Sequence, residues 1–465
     1  MSITNIISAI GNNNSIYPLL VRDCGIEIPT KVALTYNQNV KESKGIAKLA
    51  TRERLIDEYA VSAVWLGGIP LVDKIAQKII QKQNFNPDVN LKLFNDGIEK
   101  ENKVSVFFNK LFNKNYEKDI ENLKEARKYQ GAELNLNNKT FKQYAEDALK
   151  DLEKVKNNRP KFEKLIAGKF IASTAIPIAL MGYVLPKLVF ASSGKKIAQQ
   201  RAKDAQALSK YQFMYSAQDK DTFKNFSLSK GKDVSFGGGL NSTLANFSVV
   251  DKMIVTDGGY AVGRVGTARN KNEALDVAFK MSGMMFLNFI APIYIAKFLD
   301  KTANKLFNLN VNLDPKILAD KEFIEQVQNK SLILPENSDA KTLFEFIDKK
   351  ENANKLFVKL ANKFNKIKML ETGVRDPRAY VDVVNLGKFR DEIAQYAEKA
   401  QNVSEKEFSN FVKKAKSVKT FNIITNVAVS SFLLAYCLPK AQFAFRKLVT
   451  GSDLEPGIAG EVQRT

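Results

Sequence analysis

Four stretches interrupt a chain otherwise dense in lysine, asparagine and acidic residues: 59–72 (YAVSAVWLGGIPLV), 170–186, 281–296 (MSGMMFLNFIAPIYIA) and 421–439. Each is apolar on all faces of a helical wheel, which marks a helix buried on every side or one that crosses a membrane. A crossing helix needs about twenty predominantly apolar residues. The fourth run approaches that length without a charge. The second and third are bounded by Lys169 and Lys187 and by Lys280 and Lys297. Lysines so placed keep their ammonium at the interface while the stem lies along lipid. The first run is short, and Gly67-Gly68-Ile69-Pro70 predicts a break in it. Core helices of a soluble α-protein are the competing reading. Basic residues follow the second and fourth runs at once, as a juxtamembrane segment requires, so membrane association is the expectation.

The polar stretches between the runs also read as helical. Tyr144, Ala148, Leu152 and Val155 recur at helical spacing in the first, and Leu356, Leu360, Phe364, Ile367 and Leu370 in the second. Lys103 to Lys114 (KVSVFFNKLFNK) is a basic amphipathic segment suited to a membrane interface or to packing within the insert. A short hairpin over 252–265 is the one β expectation. The predicted class is mainly α.

The order of features repeats along the chain. Val21-Arg22-Asp23-Cys24-Gly25 and then Thr35-Tyr36-Asn37-Gln38-Asn39 precede the first run; Val255-Thr256-Asp257-Gly258-Gly259 and then Thr267-Ala268-Arg269-Asn270 precede the third. Tyr183-Val184-Leu185-Pro186-Lys187 ends the second run and Tyr436-Cys437-Leu438-Pro439-Lys440 the fourth. The expected architecture is two tandem pseudo-repeats. Repeat 1–230 would hold apolar helices at about 55–72 and 168–190 around a polar helical insert, 73–164. Repeat 231–465 would hold apolar helices at about 277–299 and 420–439 around an insert, 300–419. The junction falls near 227–243, where Gly237-Gly238-Gly239 sits among small and polar residues.

Charge then narrows the partners. Lys and Arg total 71 against 50 acids, a net +21, and there is no histidine. The missing histidine removes Ser-His-Asp and Cys-His catalysis and the commonest metal ligand. Cys24 and Cys437 stand at opposite ends of the chain and form no metal-ligand spacing. Positive charge suits an anionic bilayer, nucleic acid or an acidic protein. The charges are interleaved with acids, and no zinc-finger or RRM signature is present, so nucleic acid is the alternative. The start, MSITNIISAIGNNNS, lacks the pattern of a signal peptide, and the Lys/Asn/Ile/Phe bias reads as an AT-rich bacterial genome.

Candidate chemistry is sparse. Asp-x-Gly at Asp23 and Asp257 reads first as a tight turn, and neither Gly237-Gly238-Gly239 nor Ser193-Gly194-Lys195-Lys196 has phosphate-loop spacing. Within the runs the polar residues are Asn288, Asn422, Asn426 and scattered Ser and Thr, which argues against ion-coupled transport. Neither catalysis nor a cofactor is expected. The residues expected to meet anionic headgroups are Lys187, Lys195, Lys196, Arg264, Arg269, Lys355, Lys359, Lys363, Lys440, Arg446 and Lys447. The expected role is a structural or interaction protein of a bacterial inner membrane. The alternative is a soluble basic helical protein binding nucleic acid or an acidic partner.

Overall fold

The computed structural model describes residues 3–11, 17, 20–41, 43–94, 116–209, 249–307, 309 and 311–451. The described chain is mainly helical and has no strand; its only β-type pairing is an isolated bridge between Met369 and Arg375. The junction at 227–243 and the segment Lys103 to Lys114 lie outside the described residues.

Four helical rods are long and apolar enough to cross a membrane: Lys44–Lys82, Arg159–Asp204, Lys271–Phe307 and Glu405–Thr450. Proline explains how they pass their expected breaks. It has no N–H, so the carbonyl four residues earlier loses its helical donor. Three of the rods absorb this by widening into a π-helical turn directly before the proline: Val64–Gly68 before Pro70, Leu180–Val184 before Pro186, and Leu433–Cys437 before Pro439. In each, the residue preceding the proline donates five residues back: Ile69 to Val64, Leu185 to Leu180, Leu438 to Leu433. The predicted break at 67–70 is therefore a π turn inside a continuous rod. The two Tyr-x-Leu-Pro-Lys motifs likewise do not end their helices, which run on to Ser209 and Thr450. The third rod is interrupted at Ile290, just before Pro292.

Two more expectations are corrected. Asp23 lies in a π-helical segment, Leu20–Glu27, that leads through Pro29 into the helix Ile28–Asn39. Asp257 lies mid-way along the helix Val249–Gly266, which also replaces the expected hairpin. Neither Asp-x-Gly is a turn, because the chain on both sides packs as helix against the rods and keeps its backbone bonds internal.

Each of these shorter helices runs beside a rod. Lys252 pairs with Asp73 at 2.9 Å and Arg264 with Asp57 at 2.6 Å, so Val249–Gly266 runs antiparallel to the first rod. It crosses the second rod where a Cβ on Gly263 would lie only 2.8 Å from the Gly182 Cα. Only two glycines permit that approach. Gly182 is also the residue whose carbonyl Pro186 deprives of a donor, and the Thr267 hydroxyl reaches it at 3.1 Å, shared with the Gly263 carbonyl at 3.0 Å.

Both inserts hang from the same end of this bundle and fold into one head. Ala126 from the first insert joins a core otherwise built from residues 303–415. Gln130 donates to the Val381 carbonyl (2.9 Å) and accepts from the Val381 N–H (2.8 Å), as a strand partner would. Arg375 is fully buried between Phe141 and Phe344, one ring from each insert, and its Nε bonds Asp348 at 2.6 Å. The head has an ordinary apolar interior. The bundle is the reverse: Leu306, Phe298 and Phe421 are 70, 69 and 66% exposed on the rods, while charged side chains fill the space between them.

Candidate functional site

The charged layer sits at the end of the bundle far from the head. Glu53 and Asp57 share one face of the first rod, Arg54 and Glu58 the next, each pair at helical i,i+4 spacing. Asp57 takes both terminal nitrogens of Arg264, at 2.8 and 2.6 Å. Arg269 bridges Glu53 (3.0 Å) and Glu273 (2.8 Å), with its guanidinium 4.2 Å above the Phe190 ring. Lys280 and Arg54 converge on Glu58, both at 2.9 Å. Asp276 holds Arg446 through two bonds and Gln442 through one of 2.7 Å. The cavity among these groups is about 40 Å³. One water needs about 10–15 Å³, so this layer has room for little more than water. It is a clamp between helices, well matched in charge, and not a ligand pocket.

A second polar layer lies toward the head. Asp73 pairs with Lys252, and Asp300 accepts from Lys419 (2.7 Å) and from Asn422 (2.8 Å). At 1.5 Å per residue, Asp57 and Asp73 are about 24 Å apart along the first rod and Asp276 and Asp300 about 36 Å apart along the third. These spacings bracket a hydrocarbon thickness of about 30 Å.

From the head past this second layer into the bundle reaches a larger cavity of about 590 Å³. One wall is polar. Asn422, Asn426 and Ser430 follow one another at i,i+4 on the fourth rod, and Arg22 lines the same cavity. The other wall is apolar, including Pro292, Ala296, Phe364 and Phe389. Glu392 lines it with no hydrogen bond or ion pair among the described residues, and burial pushes its carboxyl above the ordinary range.

The residues expected to meet headgroups divide into three sets. Arg264, Arg269 and Arg446 face inward onto carboxylates; for these the expectation is corrected, because their guanidiniums are engaged inside the bundle. Lys355, Lys359 and Lys363 sit on the head, where Lys359 pairs with Glu322 and Lys363 with Asp320 at its surface. Lys187, Lys195, Lys196, Lys440 and Lys447 are exposed at the far end. Ser193 bonds Glu53 of the charged layer, so Lys195 and Lys196 flank that layer. Lys187 lies about 9 Å nearer the head, a distance a lysine stem can largely cover.

Glu53, Asp57, Glu58 and Asp276 were missed by pattern reading. They stand just outside the apolar runs, and their signal was present in the i,i+4 spacing of 53/57 and 54/58 on the helix that leads into the first run. No family model, curated protein or solved structure matches the chain.

Proposed function

We propose that this is a membrane-embedded protein with a structural or interaction role rather than an enzyme. The observation that carries the reading is the inverted bundle: large apolar side chains face outward on rods whose charged groups face one another. In water such a surface is unfavourable; in hydrocarbon it is the expected arrangement, because polar groups must then be satisfied internally. The spacing of the two polar layers supports the same reading. Lys187, Lys195, Lys196, Lys440 and Lys447 meet an anionic leaflet, each contributing on the order of 1 kcal/mol. The compartment we propose is a bacterial inner membrane, and the head offers its surface to a partner.

We also read the chain as two pseudo-repeats. The order short helix, long rod, insert, long rod occurs twice. Ser193 and Arg446 each follow the proline of their half's Tyr-x-Leu-Pro-Lys motif, Pro186 and Pro439, by the same interval, and each reaches a carboxylate on the preceding rod of that half, Glu53 and Asp276. Each short helix packs against the last rod of the other half.

Membrane fractionation with an alkaline carbonate wash tests the placement. Retention in the pellet is expected. Release into the supernatant, or absence from the pellet, would overturn it and favour a soluble protein whose net +21 binds nucleic acid or an acidic partner.

A further inference from the structure

We propose that the 590 Å³ cavity between bundle and head binds an amphiphile carrying a primary ammonium group, with the ammonium at Glu392 and the chain along the apolar wall. The volume falls within the usual 300–1,000 Å³ of ligand pockets. The choice of head follows from which lining charges are already engaged. Asp300 is occupied by Lys419 and Asn422. Asp314 accepts from Ser8 and from the Lys316 N–H. Asp382 caps the helix Val383–Gln401 through Asn385. Glu392 alone among the lining carboxylates has no such partner among the described residues. Half-buried, and attracted by Lys419 and Lys366 without a hydrogen bond to either, it has acceptors to offer, and a primary ammonium supplies the donors it lacks.

The tail has a matching path. Pro292, Ala296, Ile423 and Val427 form an apolar strip that leads from the Glu392 end into the bundle between the third and fourth rods. Asn422, Asn426 and Ser430 run beside it, so ester or hydroxyl groups below the head would meet hydrogen-bonding partners. At the depth of a bilayer, polar side chains facing a cavity mark a pathway or a ligand. Lys366 lines the same cavity and can take a phosphate adjacent to the ammonium, while Arg22, held through its Nε by Asp23, adds positive charge beside it, so the zwitterionic aminophospholipid head fits as well as a simple long-chain amine.

The site rests on the membrane reading only for where its ligand comes from. It is therefore tested on the full chain in detergent, without a bilayer. Binding of dioctanoyl phosphatidylethanolamine, dioctanoyl phosphatidylglycerol and free phosphoethanolamine would be measured by native mass spectrometry and titration calorimetry. The ethanolamine lipid should bind at least about tenfold more tightly than the glycerol lipid. Glu392→Gln should lose about tenfold of that affinity, with the surface change Glu325→Gln as control. Asn426→Leu, which fills the polar wall and leaves Glu392 in place, should also weaken binding of the lipid. Equal binding of both lipids, or unchanged affinity in Glu392→Gln, overturns the proposal. Phosphoethanolamine binding as tightly as its lipid overturns the role of the apolar wall and identifies a soluble headgroup as the ligand. Carbonate extraction reports on membrane placement separately, so either conclusion can fail alone.

Discussion

Asp57 and Arg264 meet through two short bonds with both side chains less than a tenth exposed. A buried pair of this kind adds little over a well-packed apolar pair, yet removing one member leaves a charge stranded. Asp57→Ala should therefore destabilise by about 3–5 kcal/mol, and Asp57→Leu with Arg264→Met should recover most of the loss in a thermal unfolding scan in detergent. No recovery would mean that the pair is not what holds these helices together. At the head, the Lys368 ammonium, bonded to Asp88 at 2.7 Å, holds that carboxyl below its ordinary 3.8. Burial raises Asp339, but the Thr342 N–H and hydroxyl, both donating to it, leave it lower than 3.8 as well. A carboxyl lower in the folded state contributes stability that is present above the unfolded value and is lost as pH falls through the folded one. The head should thus weaken below about pH 4. Asp339→Ala should cost about 1 kcal/mol at neutral pH and make the acid limb shallower; an unchanged pH profile would count against the cap.

At the scale of elements, proline and glycine set how the rods cross. Gly263→Val places a side chain where a Cβ already lies 2.8 Å from the Gly182 Cα. Forced separation of two packed backbones should cost about 1–3 kcal/mol, visible as a lower Tm, while Gly258→Ala on the same helix has open space and should be tolerated. The π turn before Pro186 gives a finer test. Thr267→Val removes the hydroxyl that reaches the Gly182 carbonyl and should cost about 1 kcal/mol. Adding Pro186→Ala returns a backbone N–H to the rod and should offset part of that loss. An additive pair of losses would show that the threonine serves only its own helix, through Gly263.

For the whole molecule, a bilayer fixes sidedness. Lys203 is exposed beyond the charged layer and Lys349 is exposed on the head. In a Cys24→Ser, Cys437→Ser background, Lys203→Cys and Lys349→Cys should react with a membrane-impermeant maleimide from opposite sides of sealed vesicles. Labelling of both from one side would overturn a crossing bundle. The second rod ends at the far end and the helix Val249–Gly266 begins at the head end. The N-terminal helix Ile3–Gly11 lies at the head end, where Ser8 donates to Asp314, and the fourth rod ends at the far end. The described termini therefore do not share a side, as four crossings alone would require.

Helical class and the positions of the four rods were legible in the residues, because an unbroken apolar run leaves few alternatives to a helix. The periodicity of Leu356, Leu360, Phe364, Ile367 and Leu370 located the start of a helix in the second insert, but the structure closes it at Lys363, and Phe364, Ile367 and Leu370 follow in non-helical chain. Three things depended on long-range contact. Proline appeared as a break, whereas packing on both sides of Pro70, Pro186 and Pro439 favours a π turn over an interrupted rod. Arg264, Arg269 and Arg446 appeared as surface cations, whereas their carboxylate partners stand up to about two hundred residues away along the chain. The cavity with its unpaired Glu392 had no local signal at all, since its walls come from the N-terminal segment, two rods and the second insert. Local pattern governs what a segment forms because backbone bonds and side-chain periodicity are local; which charges are satisfied, and which are left open to a ligand, is set by where distant segments meet.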